Sequence, residues 1–165
     1  MNYLEKFREV DTLIFDVDGV LTNSQLLVQE DGALLRSMNT RDGFALKKAV
    51  REGYRVVIIT GGSSQGVVKR LEGLGVTEIF YGIENKLKTF TSFIRANGID
   101  AGSVLYMGDD IPDYEVMRLV GLPVCPHDAA QEILQIAQYV SPHNGGEGCV
   151  RDVIEKVLKL ADKWL

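Results

Sequence analysis

Short apolar runs alternate with amphipathic segments along most of this 165-residue chain. The apolar runs lack a clear polar–apolar alternation, which is typical of strands covered on both faces of a sheet. The predicted strands span residues 12–16, 55–60, 78–81, 104–107, 122–124 and 138–140, and the predicted helices span residues 42–52, 64–74, 85–97, 113–120, 129–136 and 149–164. These repeated strand–helix units predict an α/β fold, a doubly wound and mostly parallel sheet with helices on both faces.

Residues 25–36 break this rhythm. Their pattern predicts two strands around an Asp31-Gly32 turn, which is a strong signal for a β-hairpin. The hairpin directly follows an acidic loop, so it is placed to act as a flap over that loop. It carries five large apolar side chains: Leu26, Leu27, Val28, Leu34 and Leu35. Two interpretations stay open: a partner subunit covers these side chains, or the hairpin packs on its own domain as an edge.

Composition narrows the function classes. Hydrophobic residues make up 45% of the chain and charged residues 25%, as in ordinary globular proteins. The formal net charge of −5 argues against a nucleic-acid surface, which would need a basic stripe, but it is compatible with an anionic small substrate. No apolar stretch approaches the ~18 residues of a membrane span. The charges within residues 1–10 are unlike those of a signal peptide. From the net charge and the lack of a long apolar stretch, we expect neither a nucleic-acid nor a membrane partner.

The two cysteines bear on location. Cys125 and Cys149 lack the spacing of a metal site. We expect free thiols in a reducing cytoplasm, with a disulfide between them as the alternative. We also expect residues 1–165 to form a single domain, with the hairpin at 25–36 and a C-terminal tail and helix over 141–165.

Candidate chemistry is concentrated where predicted strands end. Asp16 and Asp18 lie two residues apart, on one face of the first strand at its end, and a glycine follows. Carboxylates at the end of a buried strand are unfavourable unless a cation or a reaction uses them. A second acidic strand end carries Asp109, Asp110 and Asp113. Because ligands of open α/β sheets bind at this edge, the paired acids indicate Mg²⁺ and phosphoryl chemistry.

Two further signals favour an anionic ligand at the same edge. The turn Thr60-Gly61-Gly62 offers a hydroxyl and small residues that let backbone N–H groups approach an anion. Lys86 begins a predicted helix, where its charge and the helix N-terminus both favour phosphate. Each signal alone is common as an ordinary turn or a solvated charge. Their occurrence together, on successive strand–helix units, makes a phosphate site the better interpretation.

These motifs resemble those of the haloacid dehalogenase superfamily of phosphohydrolases, over residues 13–113. The chain is similar to the small, capless branch of octulosonate phosphate phosphatases in the hairpin and in residues 16–22, 39–43 and 145–151. The resemblance implies a Rossmann-like domain without a cap, since residues 22–60 hold only the hairpin and one helix. It also implies a Mg²⁺ cofactor and a role in lipopolysaccharide biosynthesis.

The resemblance further implies a role for each acidic motif residue. Asp16 would attack phosphorus and form an aspartyl phosphate. Asp18 would protonate the departing sugar oxygen and then take a proton from the hydrolytic water. Mg²⁺ would be held by the Asp16 and Asp109 carboxylates and by the Asp18 backbone carbonyl.

The remaining motif residues would bind phosphate and orient its ligands. Thr60, the Gly61 N–H and Lys86 would hold the phosphoryl oxygens, because catalysis of this transfer is mainly positioning and electrostatics. Asp110 and Asp113 would orient metal-bound waters and Lys86. For Asp113, the alternative is a helix N-terminal acid without a further role.

Substrate specificity rests on fewer signals. Arg41 lies in a polar loop after the hairpin, where its forked guanidinium could meet a substrate carboxylate. In the resembling enzymes the glycine-rich tail reaches a neighbouring subunit's site, which makes Arg151 a candidate contact, although a solvated arginine is the alternative. Gly62 departs from the family, which usually has arginine there. The expected substrate is 3-deoxy-D-manno-octulosonate 8-phosphate, with the phosphate of a nine-carbon sugar acid as the alternative.

The hairpin and the acidic motifs also bear on the oligomeric state and on the class of function. The resemblance implies a homo-oligomer, a tetramer, with the hairpin in the interface. A phospho-receiver domain and a non-catalytic accessory subunit are the competing classes. A receiver carries its acceptor on a middle strand, whereas here that strand ends in Thr60 without a carboxylate. All motif carboxylates are present, which counts against an inactive subunit.

Overall fold

The computed structural model describes residues 3–165, so the charged N-terminal segment is described from Tyr3 onward, and Met1 and Asn2 lie outside the described residues. The helices are α1 Tyr3–Arg8, α2 Thr40–Arg51, α3 Gln65–Gly73, α4 Lys86–Asn97, α5 Ile111–Met117, α6 Gln131–Ile136 and α7 Cys149–Leu160. The strands are β1 Thr12–Phe15, β2 Leu27–Val28, β3 Leu34–Leu35, β4 Arg55–Ile59, β5 Glu78–Phe80, β6 Val104–Met107, β7 Leu122–Cys125 and β8 Tyr139–Val140.

Six strands form one parallel sheet in the order β5-β4-β1-β6-β7-β8, which confirms the predicted doubly wound α/β fold. Successive side chains of a strand point to opposite faces. Leu13 and Phe15 therefore enter a core with α2, α3 and α7, while Ile14 enters a second core with α4, α5 and α6. All four residues of β1 are buried, which explains why the central strand is a continuous apolar run.

The order of the strands determines where a ligand can bind. After β1 the chain adds β4 and β5 on one side of it, then crosses over and adds β6, β7 and β8 on the other side. Sheets of this kind bind ligands outside the carboxyl ends of the strands, at the point where the order reverses. Here that point is where β1, β4 and β6 end side by side.

The predicted hairpin is present as a separate antiparallel pair, with Leu27 opposite Leu35 and Val28 opposite Leu34. Only two residues of each strand are paired. Leu27 is 65% exposed and Val28 is 66% exposed, so the hairpin does not bury these side chains on its own domain. Between β1 and β4 the chain forms this hairpin and α2, which confirms the absence of a cap domain.

Several helix boundaries differ from prediction. The helix predicted from residue 113 begins at Ile111, because Asp110 caps it through its side chain. The last helix ends at Leu160 rather than at residue 164, and α1 was not predicted. Cys125 and Cys149 are both buried free thiols, so the disulfide alternative is wrong. Within residues 3–165, no helix combines the length and apolar character needed to cross a membrane.

Candidate active site

The loop that follows β1 is folded tightly against the end of β6. Asp16 donates its backbone N–H to Met107 over 3.1 Å, and Leu21 donates to Val17 over 2.9 Å. Gly19 has φ +86°, and a Cβ there would lie 1.9 Å from Oδ2 of Asp109. Glycine is therefore required both by the backbone conformation and by the close approach of the second acidic motif.

Asp16 is buried at the centre of the site. Its Oδ1 accepts the Val17 backbone N–H at 2.7 Å, and its Oδ2 lies 2.8 Å from Nζ of Lys86. Burial raises the pKa of Asp16 to about 7, with a further rise from Asp113 and a partial offset by Lys86. The Asp16 carboxyl thus lies just after β1, where Lys86 and the Val17 N–H only partly offset the rise in its pKa.

A buried network fixes Lys86, the first residue of α4. Its ammonium pairs with Oδ1 of Asp113 at 2.7 Å, and the Tyr106 hydroxyl donates to the same oxygen at 2.7 Å. The backbone N–H of Asp109 donates to the other oxygen of Asp113 at 3.1 Å. Burial lowers the pKa of Lys86, but Asp16 and Asp113 more than offset this, so its pKa is raised. Asp113 is thus both a helix N-terminal acid and the partner of Lys86.

The residues present fit a divalent cation. One carboxylate oxygen each of Asp16, Asp109 and Asp113 lies within 4.8 Å of the others. Burial raises the pKa of Asp109 to about 8, with further rises from Asp16, Asp113 and Asp110. This crowding of negative charge exceeds what one lysine offsets, and hard oxygen ligands are those that Mg²⁺ prefers. Asp113 already accepts from Lys86, from Tyr106 and from the Asp109 N–H, which makes Asp16 and Asp109 the better candidates for metal ligands.

Asp18 is held by a residue that the sequence analysis missed. Arg36, directly after β3, donates from Nε to Oδ1 of Asp18 at 2.6 Å and from Nη2 to Oδ2 at 3.1 Å. The Arg36 side chain is only 6% exposed. Its sequence signal is a single cation at the end of a hairpin strand, and period-two alternation does not tell which face of a two-residue strand meets the loop.

The turn after β4 carries the groups that are predicted to bind phosphate. Thr60 is buried, and its hydroxyl oxygen accepts the Gly62 backbone N–H at 3.2 Å. A Cβ at Gly62 would lie 3.0 Å from Nη2 of Arg36 and 3.2 Å from Oδ2 of Asp18. The family's usual arginine is missing at this position, and the guanidinium of Arg36 lies beside it instead.

One open cavity brings together most of the predicted site residues. It has a volume of about 380 Å³. Its lining includes Asp16, Asp18, Thr60, Gly61, Lys86, Asp109, Asp110 and Asp113. Asp110 has a capping role as well, since its Oδ1 accepts the Ile111 N–H at 2.8 Å. The cavity therefore brings together the residues predicted to act as nucleophile, as general acid and base, as metal ligands and as phosphoryl contacts.

Arg41 and Arg151 do not line this cavity. Both line a second cavity of about 760 Å³, which shares no lining residue with the first. The Arg151 guanidinium lies 5.2 Å from the ring centre of Trp164 and pairs with Glu155 at 3.3 Å. Within one chain the structure does not bring these arginines to Asp16, and their contact with substrate remains a prediction.

The glycine-rich tail packs under the chain's own acidic loop. A Cβ at Gly145 would lie 2.0 Å from the Gly19 carbonyl oxygen, and Gly146 donates to the Val20 carbonyl over 2.9 Å. The Cys149 thiol donates to the same carbonyl at 3.2 Å. The tail therefore supports the loop that carries Asp16 and Asp18, a contact that no local sequence signal announces.

Comparisons with known proteins agree with this geometry. Residues 77–154 match the model of the haloacid dehalogenase-like hydrolase family. The chain is 36% identical to 3-deoxy-D-manno-octulosonate 8-phosphate phosphatase of Escherichia coli over 155 residues, covering 94% of this chain and 82% of the relative.

Solved structures give the same result. The Yersinia pestis enzyme of that name superposes with a TM-score of 0.95 at 32% identity, covering 99% of this chain and 88% of that one. The Moraxella catarrhalis enzyme, solved with magnesium, phosphate and 3-deoxy-D-manno-octulosonate (KDO), has a TM-score of 0.94 at 29% identity, covering 99% and 95%. With its acidic loop, its threonine turn and its buried lysine, this chain belongs to the haloacid dehalogenase-like hydrolases.

Proposed function

We propose that this protein is a Mg²⁺-dependent phosphatase that hydrolyses 3-deoxy-D-manno-octulosonate 8-phosphate to the free sugar acid and phosphate. The observation that carries the proposal is the buried Asp16 carboxyl, 2.8 Å from Lys86 and beside the carboxylates of Asp109 and Asp113. The groups proposed as nucleophile, fixed cation and metal site thus meet at one edge of the sheet, which is the arrangement that phosphoryl transfer to a carboxylate requires.

The chain's own residues divide the reaction into two displacements. Asp16 attacks phosphorus and forms an aspartyl phosphate while Asp18 donates a proton to the departing sugar oxygen. Asp18 then accepts a proton from the water that attacks phosphorus and frees Asp16. Lys86, with the Thr60 hydroxyl and the Gly61 N–H, holds the phosphoryl oxygens throughout. Bound Mg²⁺ supplies positive charge that favours the ionised carboxylates and offsets the charge of the phosphoryl group.

The substrate is inferred from the relatives and from one loop. The relatives from Escherichia coli and Yersinia pestis are named for the eight-carbon sugar acid phosphate, and the Moraxella catarrhalis structure contains KDO itself. The segment 39–43, with Arg41, resembles that branch and offers a forked cation for the substrate carboxylate. The nine-carbon acid phosphate is the alternative, because Gly62 takes the place of an expected anion contact.

Assembly is part of the proposal. The apolar side chains of the hairpin are exposed, and Phe44 on α2 is also 55% exposed. Such a surface is typical of protein interfaces. We infer a homo-oligomer, a tetramer, in which the hairpin lies in the interface and Arg41 and Arg151 of one copy face the cavity of another. The two buried free thiols favour a reducing cytoplasm as the location.

A substrate screen tests the proposal. Phosphate release is measured with Mg²⁺ for the eight-carbon acid phosphate, a nine-carbon acid phosphate and a neutral sugar phosphate, in the wild type and in Arg41→Ala. We expect kcat/KM to be highest for the eight-carbon acid, and we expect Arg41→Ala to reduce that preference by about 10-fold, as for loss of a charged hydrogen bond. A wild type that prefers the neutral sugar would contradict the substrate, and stable phosphorylation without turnover would favour the phospho-receiver class.

A further inference from the structure

The pairing of Arg36 with Asp18 is not explained by the folding of either segment. Asp18 lies in the loop after β1, and Arg36 lies after β3 of the hairpin. The guanidinium contacts both carboxylate oxygens, at 2.6 and 3.1 Å, in the forked geometry that fixes a carboxylate in position and in orientation. The hydrogen bond to Asp18 raises the pKa of Arg36, in spite of an opposing effect of burial.

The hairpin presents this arginine inward while its strands face outward. Leu34 and Leu35 are 43% and 45% exposed, whereas the Arg36 side chain is 6% exposed. Nη1 of Arg36 also donates to the Leu34 carbonyl over 3.2 Å, which ties the guanidinium to the backbone of the hairpin. A weakly paired element with an exposed apolar surface is therefore connected to the reacting cavity through a buried charged group.

Gly62 leaves the space that the pair occupies. A Cβ at this position would approach Nη2 of Arg36 at 3.0 Å and Oδ2 of Asp18 at 3.2 Å, both tighter than ordinary carbon contacts. The turn after β4, the loop after β1 and the hairpin thus meet at one point. Three separate segments of the chain are mutually adjusted around the Asp18 carboxylate.

We propose that Arg36 is a positioning residue for Asp18, so that docking of the hairpin and alignment of the acid–base carboxylate are one event. This inference rests on the proposed phosphatase function. Two other carboxylates of the cavity, Asp16 and Asp113, are held by Lys86. Asp18 is 38% exposed at its side chain, so without a partner it would sample several rotamers and lose the alignment that proton transfer needs. When Asp18 carries the proton for the leaving group, one of its oxygens still accepts from Arg36 and the other, as a hydroxyl, donates to the sugar oxygen. The guanidinium thus orients Asp18 in both protonation states.

The experiment compares two leaving groups. The enzyme is assayed with Mg²⁺ on the alkyl phosphate that the wild type hydrolyses fastest and on para-nitrophenyl phosphate. Since kcat/KM reports only the steps through departure of the leaving group, it includes protonation by Asp18 for a sugar alkoxide but not for nitrophenolate, which leaves unprotonated. The variants are Arg36→Gln and Arg36→Lys. Arg55→Gln is the control, because Arg55 makes a forked pair with Glu78 of the same kind, at 2.8 and 2.6 Å, away from the cavity.

Arg36→Gln is expected to lower kcat/KM for the alkyl phosphate by about 10- to 100-fold and to change it less than about 3-fold for para-nitrophenyl phosphate. Arg36→Lys should give an intermediate loss with the same selectivity, because one ammonium replaces the charge but not the fork. Arg55→Gln should leave both values within about 2-fold. In an Asp18→Asn background, Arg36→Gln should cause no further loss, since two residues that act through one group are not additive.

Several outcomes would overturn the inference. Equal losses on both substrates would indicate a structural role for Arg36, and an unchanged Arg36→Gln would exclude a positioning role. A further loss in the Asp18→Asn background would separate Arg36 from Asp18. If light scattering shows that Arg36→Gln no longer assembles, Arg36→Lys tests the inference instead. An Arg36→Lys variant with the same ratio of kcat/KM for the alkyl phosphate to kcat/KM for para-nitrophenyl phosphate as the wild type would then overturn it. A wild type without any phosphatase activity would overturn both this inference and the proposed function.

Discussion

The strand ends and the hairpin hold the two carboxylates proposed for catalysis in different ways. Asp16 is fixed by Lys86 and by the loop backbone, inside a sheet whose central strand is fully buried. Asp18 is fixed by Arg36, on a hairpin with two paired residues per strand and an exposed apolar surface. An isolated hairpin of this kind is marginally stable at best. The proposed nucleophile therefore depends on the fold of one chain, whereas alignment of the proposed acid–base group depends on a weakly paired hairpin that the proposed assembly would order.

Among the residues held at the strand ends, the largest effect is expected for Asp16→Asn. An amide cannot form the acyl phosphate, so turnover should fall to the level of contaminating activity, at least about 10⁴-fold below wild type. Phosphate release and trapping of a phosphorylated protein measure this. Asp162→Asn is a matched control, because Asp162 is exposed at the end of α7 with φ 55°, a conformation that asparagine also adopts. Near-normal activity of folded Asp16→Asn would exclude Asp16 as nucleophile.

Asp18→Asn should cost less and should separate the two half-reactions. The proton donor is lost, so hydrolysis of a sugar phosphate is expected to fall by about 10² to 10⁴-fold. Mg²⁺ affinity should change little, since the proposed metal contact of Asp18 is its backbone carbonyl. Calorimetric titration of Mg²⁺ and single-turnover assays measure the two effects. A variant that loses the metal but keeps the chemical step would contradict this role.

A substitution in the hairpin tests whether its exposed apolar surface contributes to assembly and activity. Leu27→Asp places a charge in the exposed apolar surface and should weaken assembly, with a loss of about 10-fold in kcat/KM although no catalytic group is changed. Gln29→Asp adds the same charge to an exposed polar position of the same hairpin and should have little effect. Light scattering and kinetics are compared across protein concentration. A wild type that is monomeric and fully active would refute the assembly proposal.

The difference between the two sides also explains what the sequence could predict. The six sheet strands and the cluster of Asp16, Thr60 and Lys86 follow from local patterns, since an apolar run and a polar residue at its end lie in one short segment. Pairing of Arg36 with Asp18 depends on how a hairpin folds back, which no periodicity in a two-residue strand specifies. Helix α1 is only six residues long, too short for a helical period to be evident.

Tertiary packing accounts for the other differences. The last helix was predicted to residue 164 from its apolar spacing, but it ends at Leu160. Trp164 then packs edge-to-face on Phe44, with 6.0 Å between ring centres. The helical spacing of apolar residues thus continues past the end of α7, and Trp164 makes its apolar contact from outside the helix. In the same way, Gly145 and Gly146 are required by the loop they pack under, which lies more than 120 residues earlier in the chain.

The smallest expected effect is a pH dependence of the stability, which arises from the buried carboxyls of the cavity. The carboxyls of Asp16 and Asp109, with pKa values of about 7 and about 8 in the folded protein, ionise near their ordinary value of 3.8 in the unfolded chain. Between these limits the folded state holds protons that the unfolded state has released, so stability falls as pH rises through the folded pKa values. Without metal, the Tm should therefore fall by several °C from pH 6 to pH 8.5, at about 2–4 °C for each 1 kcal/mol.

Added Mg²⁺ reverses this dependence, because it binds the ionised carboxylates in the folded state and must displace their protons at lower pH. The rise in Tm on adding Mg²⁺ should be larger at pH 8.5 than at pH 6. Asp109→Asn keeps the shape of the side chain beside Gly19 but removes one charge, so at pH 8.5 without metal it should be more stable than wild type and should respond weakly to Mg²⁺. Scanning calorimetry in chelator and in Mg²⁺ measures both. A flat wild-type profile, or an Asp109→Asn protein that is less stable than wild type at pH 8.5 without metal, would show that the cavity does not hold repelling carboxylates awaiting a cation.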